Sequence, residues 1–375
     1  MRAARSPSRA SGTVPASGAC CGAPVQGHAS ASRHRSRFGS ERRIARILHF
    51  LRVPYTRRPG CAIIAGHEDC LHTKPPWLQE IFPWEQRSLS VNGRRMAYVD
   101  EGDRSGRPVL LLSGNPTWGF LYRDFIEPLR AAGYRALAPD WIGTGYSDHP
   151  RVDAALTLAH HIADLVSLMD QLELRGFVVV GHDWGGPQGV GAALQRVERL
   201  AALVLMNTWL FTGRLSRFHS SPRPWTTWHA PLLGPFFMRR HKVLSHAGPS
   251  ALSRRAMTES EARAYHHVFD EPDSDHVVLT WPRTIPMREG DRGWDDMQAI
   301  ERRLPELRSV PALLVWAPED EVFPIEFAHR LKELLPQAEG PVPFERARHF
   351  LPDERGPELA GAVVEFLGRK AGARP

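Results

Sequence analysis

Two hydrophobic periods alternate along most of the chain. Short continuous apolar runs occur at Val109–Leu112, Ala136–Ala138, Phe177–Val180, Ala202–Met206 and Ala312–Trp316. Their length and flanking turn residues predict strands buried on both faces, as in a parallel sheet. Between them lie amphipathic stretches of helical length at Leu121–Ala132, Leu156–Leu172, Gln188–Arg199 and Ile325–Leu335. Strand and helix in alternation predict an α/β fold with a mostly parallel, doubly wound sheet. Ahead of these, Arg87–Val91 and Arg95–Val99 flank Asn92-Gly93, a strong two-residue hairpin signal.

The alternation stops between about Trp209 and Trp294. That interval holds five tryptophans and the phenylalanines Phe211, Phe218, Phe236, Phe237 and Phe269, with no strand of the earlier kind. It reads as an inserted helical cap over residues 209–294. The main domain would then be 76–208 together with 295–370. Ligands of open α/β sheets bind beyond the carboxyl ends of the strands, so an insertion after Ala202–Met206 would overhang that edge.

Composition separates a further segment. Residues 1–75 carry 13 Lys and Arg against 3 Asp and Glu, and hold all four cysteines. The other 300 residues carry 35 basic and 38 acidic groups, so the chain's net charge of +7 belongs to this extension. Rich in Arg, Ala, Ser, Gly and Pro, it lacks the apolar area that offsets the entropy of ordering, and is expected to be disordered. Its arginines also resemble a transit peptide or a non-specific polyanion arm. Cys61, His67, Cys70 and His72 match no standard zinc spacing. The remaining body offers no basic excess for specific nucleic-acid binding, and no apolar run is long enough to span a membrane. A cytoplasmic location is expected.

Three separated residues carry candidate chemistry. Gly181-His182-Asp183-Trp184-Gly185 follows an apolar strand and opens a helix, the G-x-nucleophile-x-G pattern with Asp at its centre. A carboxylate lifted out of the sheet on that sharp turn can attack carbon directly. An Asp capping a helix is the plainer alternative. Asp320 follows the strand Leu313–Trp316, and His349 comes after the candidate last strand. Asp183, Asp320 and His349 thus fall in nucleophile, acid, base order.

With Gly114-Asn115-Pro116-Thr117-Trp118 and the Asp140–Asp148 loop added, the chain from Trp77 to about Gly368 resembles the haloalkane dehalogenases of the α/β-hydrolase fold. The resemblance implies that Asp183 displaces halide to leave an alkyl ester. His349, oriented by Asp320, would activate the water that hydrolyses it. Asn115 and Trp184 would supply the oxyanion hole by their backbone N–H groups and hold the halide by their side chains. No metal or cofactor is implied; the partners are a small halogenated hydrocarbon, water and product halide. The strand ending Met206-Asn207-Thr208 offers no carboxylate, which favours Asp320 as the acid and the subgroup pairing an Asp–His–Asp triad with Asn and Trp. Ser113 departs from the family's usual His. Phe211, Phe236 and Phe237 are candidate pocket walls.

Two other readings compete. An epoxide hydrolase normally uses two cap tyrosines, and residues 209–294 contain one, Tyr265. A non-catalytic binding protein of the same fold would typically lose a triad member.

Overall fold

The computed structural model describes residues 74–213, 227–270 and 274–374. The cysteine and histidine cluster and nearly all of the basic extension lie outside the described residues, as does Phe218. Eight strands form one sheet in the order β1-β2-β4-β3-β5-β6-β7-β8. They are β1 (Arg87–Val91), β2 (Arg94–Glu101), β3 (Pro108–Leu112), β4 (Arg135–Pro139), β5 (Phe177–His182), β6 (Leu200–Met206), β7 (Ala312–Trp316) and β8 (Glu339–Pro343). The first two pair antiparallel around Asn92-Gly93, both at positive φ as that tight turn demands. From β4 onward every pairing is parallel.

All residues of β3, β4, β5 and β7 are buried, which requires cover on both faces. The cover comes from helices α1 (Arg123–Ala131), α2 (Leu158–Gln171) and α3 (Gly185–Leu194). Between β6 and β7 follow α4 (Gly248–Leu252), α5 (Glu259–His266), α6 (His276–Arg283) and α7 (Trp294–Arg303). Last come α8 (Ile325–Leu334) and α9 (Gly356–Lys370). Helix α1 packs on α9, while α3 packs on α2 and α7. Local chemistry agrees with these boundaries: Thr157 caps α2 through the His160 N–H, and Thr258 with Glu261 forms a capping box on α5.

The expected elements formed with small shifts. The stretch read as one helix from Leu121 begins as a 3-10 turn at Gly119–Tyr122 before α1. The stretch ending at Arg199 divides into α3 and a 3-10 turn at Val197–Arg199. The interval between β6 and β7 is helical among its described residues. It includes two wide π-type turns, Phe236–Arg240 and Val243–Ala247, that no simple 3.6-residue period predicts. Among the described residues, no helix is long and apolar enough to cross a membrane.

Candidate active site

Four parallel strands and the loop after β8 deliver their following residues to one edge of the sheet. Asn115 follows β3, Asp183 follows β5, Asn207 follows β6, Asp320 follows β7, and His349 lies beyond β8. That shared edge is where an α/β sheet binds its ligands.

The elbow at β5 is a consequence of crowding. Asp183 has φ of +53°, a conformation that non-glycine residues seldom adopt, and the surroundings hold it there. Its backbone N–H donates to Asn207 O at 3.1 Å, and its carbonyl accepts from Thr208 Oγ1 at 2.6 Å. The helix behind must begin against β3: a Cβ on Gly185 would stand 2.0 Å from the Leu112 carbonyl oxygen. Only glycine fits there.

The carboxylate of Asp183 is buried yet well supplied with donors. Oδ1 accepts the Asn115 backbone N–H at 2.7 Å, and the Trp184 backbone N–H also bonds to the carboxylate. Oδ2 lies 3.8 Å from His349 Nε2. On the far side of the ring, His349 Nδ1 donates to Asp320 Oδ2 at 3.2 Å. Asp320 Oδ1 is occupied by the Val322 N–H at 2.7 Å, which fixes the rotation of the acid. The arrangement brings Asp183, His349 and Asp320 into one line.

Burial pushes the Asp183 carboxyl up to about 6, with His349 and the two N–H donors acting against it. The group is therefore mainly ionised at neutral pH. Burial opposes a charge on His349, but Asp320 first and then Asp183 outweigh it and leave the imidazole above its ordinary value.

Asn115 and Trp184 both lie at the carboxylate, buried. The Asn115 amide donates to Val278 O on α6 at 3.1 Å, so one of its two amide hydrogens is engaged by the covering helices. The Trp184 ring has Trp209 edge-on at 5.0 Å and Trp281 of α6 at 5.6 Å. Among the described residues its indole N–H has no acceptor. Ser113, the departure before the glycine, has a buried hydroxyl with no partner, and its carbonyl accepts from the Trp141 indole at 2.8 Å.

The three candidate wall residues have contacts of their own. Phe211 turns onto Phe327 of α8, with ring centroids 5.2 Å apart. Phe236 is 49% exposed and packs on Phe237 and His241. Phe237 is only partly buried. The wide turn at Phe236–Arg240 shifts the helical phase, and Met238 is the residue it buries. The rings that do surround the triad are Trp184, Trp209, Trp281, Phe323 and Phe350; Phe323 stacks on Trp209 at 5.0 Å and reaches His349 at 5.8 Å. Trp281 was in the aromatic interval, but nothing in a linear pattern distinguished it from Phe236.

Sequence reasoning also passed over two residues behind His349. His182 Nε2 donates to the His349 carbonyl at 2.7 Å, and Asn207 Nδ2 donates to the same oxygen at 3.1 Å. Both sit at strand ends beside the motifs, which was the available signal.

Fold and site together define an α/β-hydrolase with a carboxylate at its elbow. The family profile described as alpha/beta hydrolase fold matches residues 107–355. A haloalkane dehalogenase of Mycobacterium marinum is 30% identical over 280 residues, covering 72% of this chain and 88% of that protein. A cis-3-alkyl-4-alkyloxetan-2-one decarboxylase of Shewanella oneidensis is 30% identical over 295 residues, covering 77% of this chain and 90% of that one. Among solved structures, the tetrameric haloalkane dehalogenase DpaA of Paraglaciecola agarilytica superposes with a TM-score of 0.66 at 27% identity, over 78% of this chain and 95% of that chain. The chain belongs to the α/β-hydrolase fold family, and within it to the haloalkane dehalogenases.

Proposed function

We propose that this protein is a cytoplasmic hydrolase that cleaves carbon–halogen bonds of small haloalkanes through an alkyl ester on Asp183. The observation that carries the reading is an ionisable carboxylate held between His349 Nε2 and the backbone N–H groups of Asn115 and Trp184. In the first step Asp183 Oδ2 attacks the halogen-bearing carbon, and the halide leaves with the bonding pair. The Trp184 indole N–H and the free hydrogen of the Asn115 amide receive it. In a buried site such neutral donors stabilise a diffuse anion more strongly than water-exposed ones.

Water then attacks the ester carbonyl while His349 Nε2 takes its proton. The backbone N–H groups of Asn115 and Trp184 already point at the Asp183 carboxyl, where the oxyanion develops. Asp320 holds the Nδ1–H tautomer and stabilises the imidazolium. Collapse releases the alcohol, and the proton leaves through His349 to solvent. The helices between β6 and β7 act as a cap that excludes bulk water, with α6 supplying Val278 and Trp281 at the site. These steps use only the chain's own groups and water.

Burial of the cap's Tyr265 and of Tyr146 in the loop after β4 supports this reading over epoxide opening. Tyr265 OH donates to Asp353, and Tyr146 OH pairs with His267 Nε2 at 2.7 Å, so neither is offered to a substrate oxygen. A second reading is favoured by the oxetan-2-one decarboxylase relatives, since a strained lactone also presents an alkyl carbon with an anionic leaving group. Attack at the ring carbon would free a carboxylate onto the same donors. Loss of carbon dioxide with return of the Asp183 carboxylate then gives an alkene, with no water consumed.

One experiment separates these readings. Purified protein is supplied with 1-bromobutane, styrene oxide and a cis-dialkyl β-lactone in parallel. Bromide release without diol or alkene is the expected outcome; alkene and carbon dioxide without bromide would install the lactone reading instead.

A further inference from the structure

The nucleophile, acid and base arrive on three different loops, and their mutual distances must be set by something those loops share. That shared group is Asn207, fully buried at the end of β6. Its own carbonyl accepts the Asp183 N–H at 3.1 Å, the bond that closes the elbow. Its side-chain Oδ1 accepts the Ala317 N–H at 3.0 Å, and the Ala317 carbonyl in turn accepts the Asp320 N–H at 3.0 Å. Its Nδ2 donates to Arg348 O at 3.0 Å and to His349 O at 3.1 Å. One residue is tied to the backbone of all three loops.

The chemistry explains why asparagine stands here. A carboxamide presents one acceptor and two donors in a plane, matching one N–H on one side and two carbonyls on the other. A carboxylate would set negative charge against both carbonyls, and an apolar side chain would leave the Ala317 N–H and the Arg348 carbonyl unpaired and the His349 carbonyl to His182 alone. Asn207 also has φ of +38°, and asparagine tolerates that region better than most residues.

We propose that Asn207 is a positioning residue for the hydrolytic half of the reaction: it sets His349 between Asp183 and Asp320 while contacting no substrate itself. This rests on the functional reading above, in which ester formation needs Asp183 and the anion donors but not His349. Release of the base loop therefore slows ester hydrolysis and leaves ester formation nearly untouched. Catalytic geometry is steep enough that a shift of about 1 Å can cost roughly a hundredfold.

The test uses the full chain with 1-bromobutane and rapid quenching, reading ester on the protein by intact mass and halide by burst. Asn207→Gly removes the side chain while accepting the positive φ. Asn207→Asp keeps the shape and the acceptor for Ala317 but removes the donors to the base loop. Both are expected to form ester within about threefold of the wild-type rate and to hydrolyse it at least tenfold more slowly, so that ester accumulates. Equal losses in both steps, or wild-type hydrolysis in either variant, would overturn the assignment. Failure of both variants to fold would also overturn it, because Asn207 would then hold the fold rather than the site. A wild-type protein that releases no halide, with no ester in His349→Gln, rejects the functional reading itself.

Discussion

The elbow and the helices above it are held by different forces. At the elbow, glycine contacts, backbone hydrogen bonds and full burial leave no room for adjustment. Gly185 abuts the Leu112 carbonyl, and Asn207, Thr208 and Asn115 all bond to Asp183. The stretch that runs from β6 into the covering helices is one-sided in charge. Residues 200–258 contain eight Arg and Lys and no Asp or Glu. Three of the described cations find acids outside that stretch: Arg239 reaches Asp153, Arg254 meets Glu319, and Arg255 meets Glu261 and Asp353. Arg123 completes a buried knot with Asp353 at 2.8 Å and Glu261 at 3.0 Å, and the Tyr265 hydroxyl adds a third bond to Asp353.

The difference teaches where each region is sensitive. Packing against backbone punishes a single added methyl, whereas a buried ion network punishes the loss of one partner far more than its own net contribution suggests. Asp353 lies four residues beyond His349, so the charge knot also joins the covering helices to the loop of the base.

Several changes probe that contrast, beginning with the one expected to do most. His349→Gln should lower steady-state bromide release by about three orders of magnitude or more, as loss of a catalytic base commonly does. It should leave a mass adduct on Asp183 after exposure to a bromoalkane; release at the wild-type rate would remove His349 from the mechanism. Asp353→Asn leaves Arg123 and Arg255 to share Glu261 as their remaining acidic partner, one buried positive charge in excess, so unfolding by urea should show a loss of about 3–5 kcal/mol. A loss under about 1 kcal/mol would mean that packing, and not charge, holds the helices down.

Gly185→Ala is expected to cost about 1–3 kcal/mol by the same titration, since the facing atom is backbone and cannot rotate away. An unchanged midpoint would show that the elbow has slack. The pH dependence tests the electrostatics of the site. Asp183 must be ionised to attack, and its carboxyl stands at about 6, so the rate of ester formation should fall tenfold per unit below that value. His349 must be neutral to accept a proton and its pKa is raised, so hydrolysis should fade first as pH drops, and ester should build up. Ester formation that stays flat down to pH 5 would contradict the burial argument. At the other extreme, Phe236→Ser on the exposed turn should shift stability by no more than about 0.5 kcal/mol and leave bromide release unchanged. A large drop in activity would return Phe236 to the substrate path.

The parallel strands were legible because burial on both faces writes itself as an unbroken apolar run, and β7 was read at its observed bounds, Ala312–Trp316. The hairpin at Asn92-Gly93 was legible because its turn needs residues that accept positive φ. Asp183 was legible for a similar reason, since its glycine frame is local in sequence. The surroundings of the aromatic residues between β6 and β7 were not. Whether an aromatic side chain faces a cleft, a neighbouring helix or water depends on helical phase, and the wide turns between β6 and β7 shift that phase without a mark in the composition.

What the sequence determined alone is therefore everything whose cause is local: the strands, the hairpin and the strained elbow. Tertiary structure alone decided the distances between residues far apart in the chain. The 3.8 Å from His349 to Asp183, the position of Trp281 against Trp184 and the reach of Asn207 across three loops belong to this class. The physical reason is range. A turn is set by the few residues within it, but a contact across a sheet edge is fixed only once every strand between its partners has found its register.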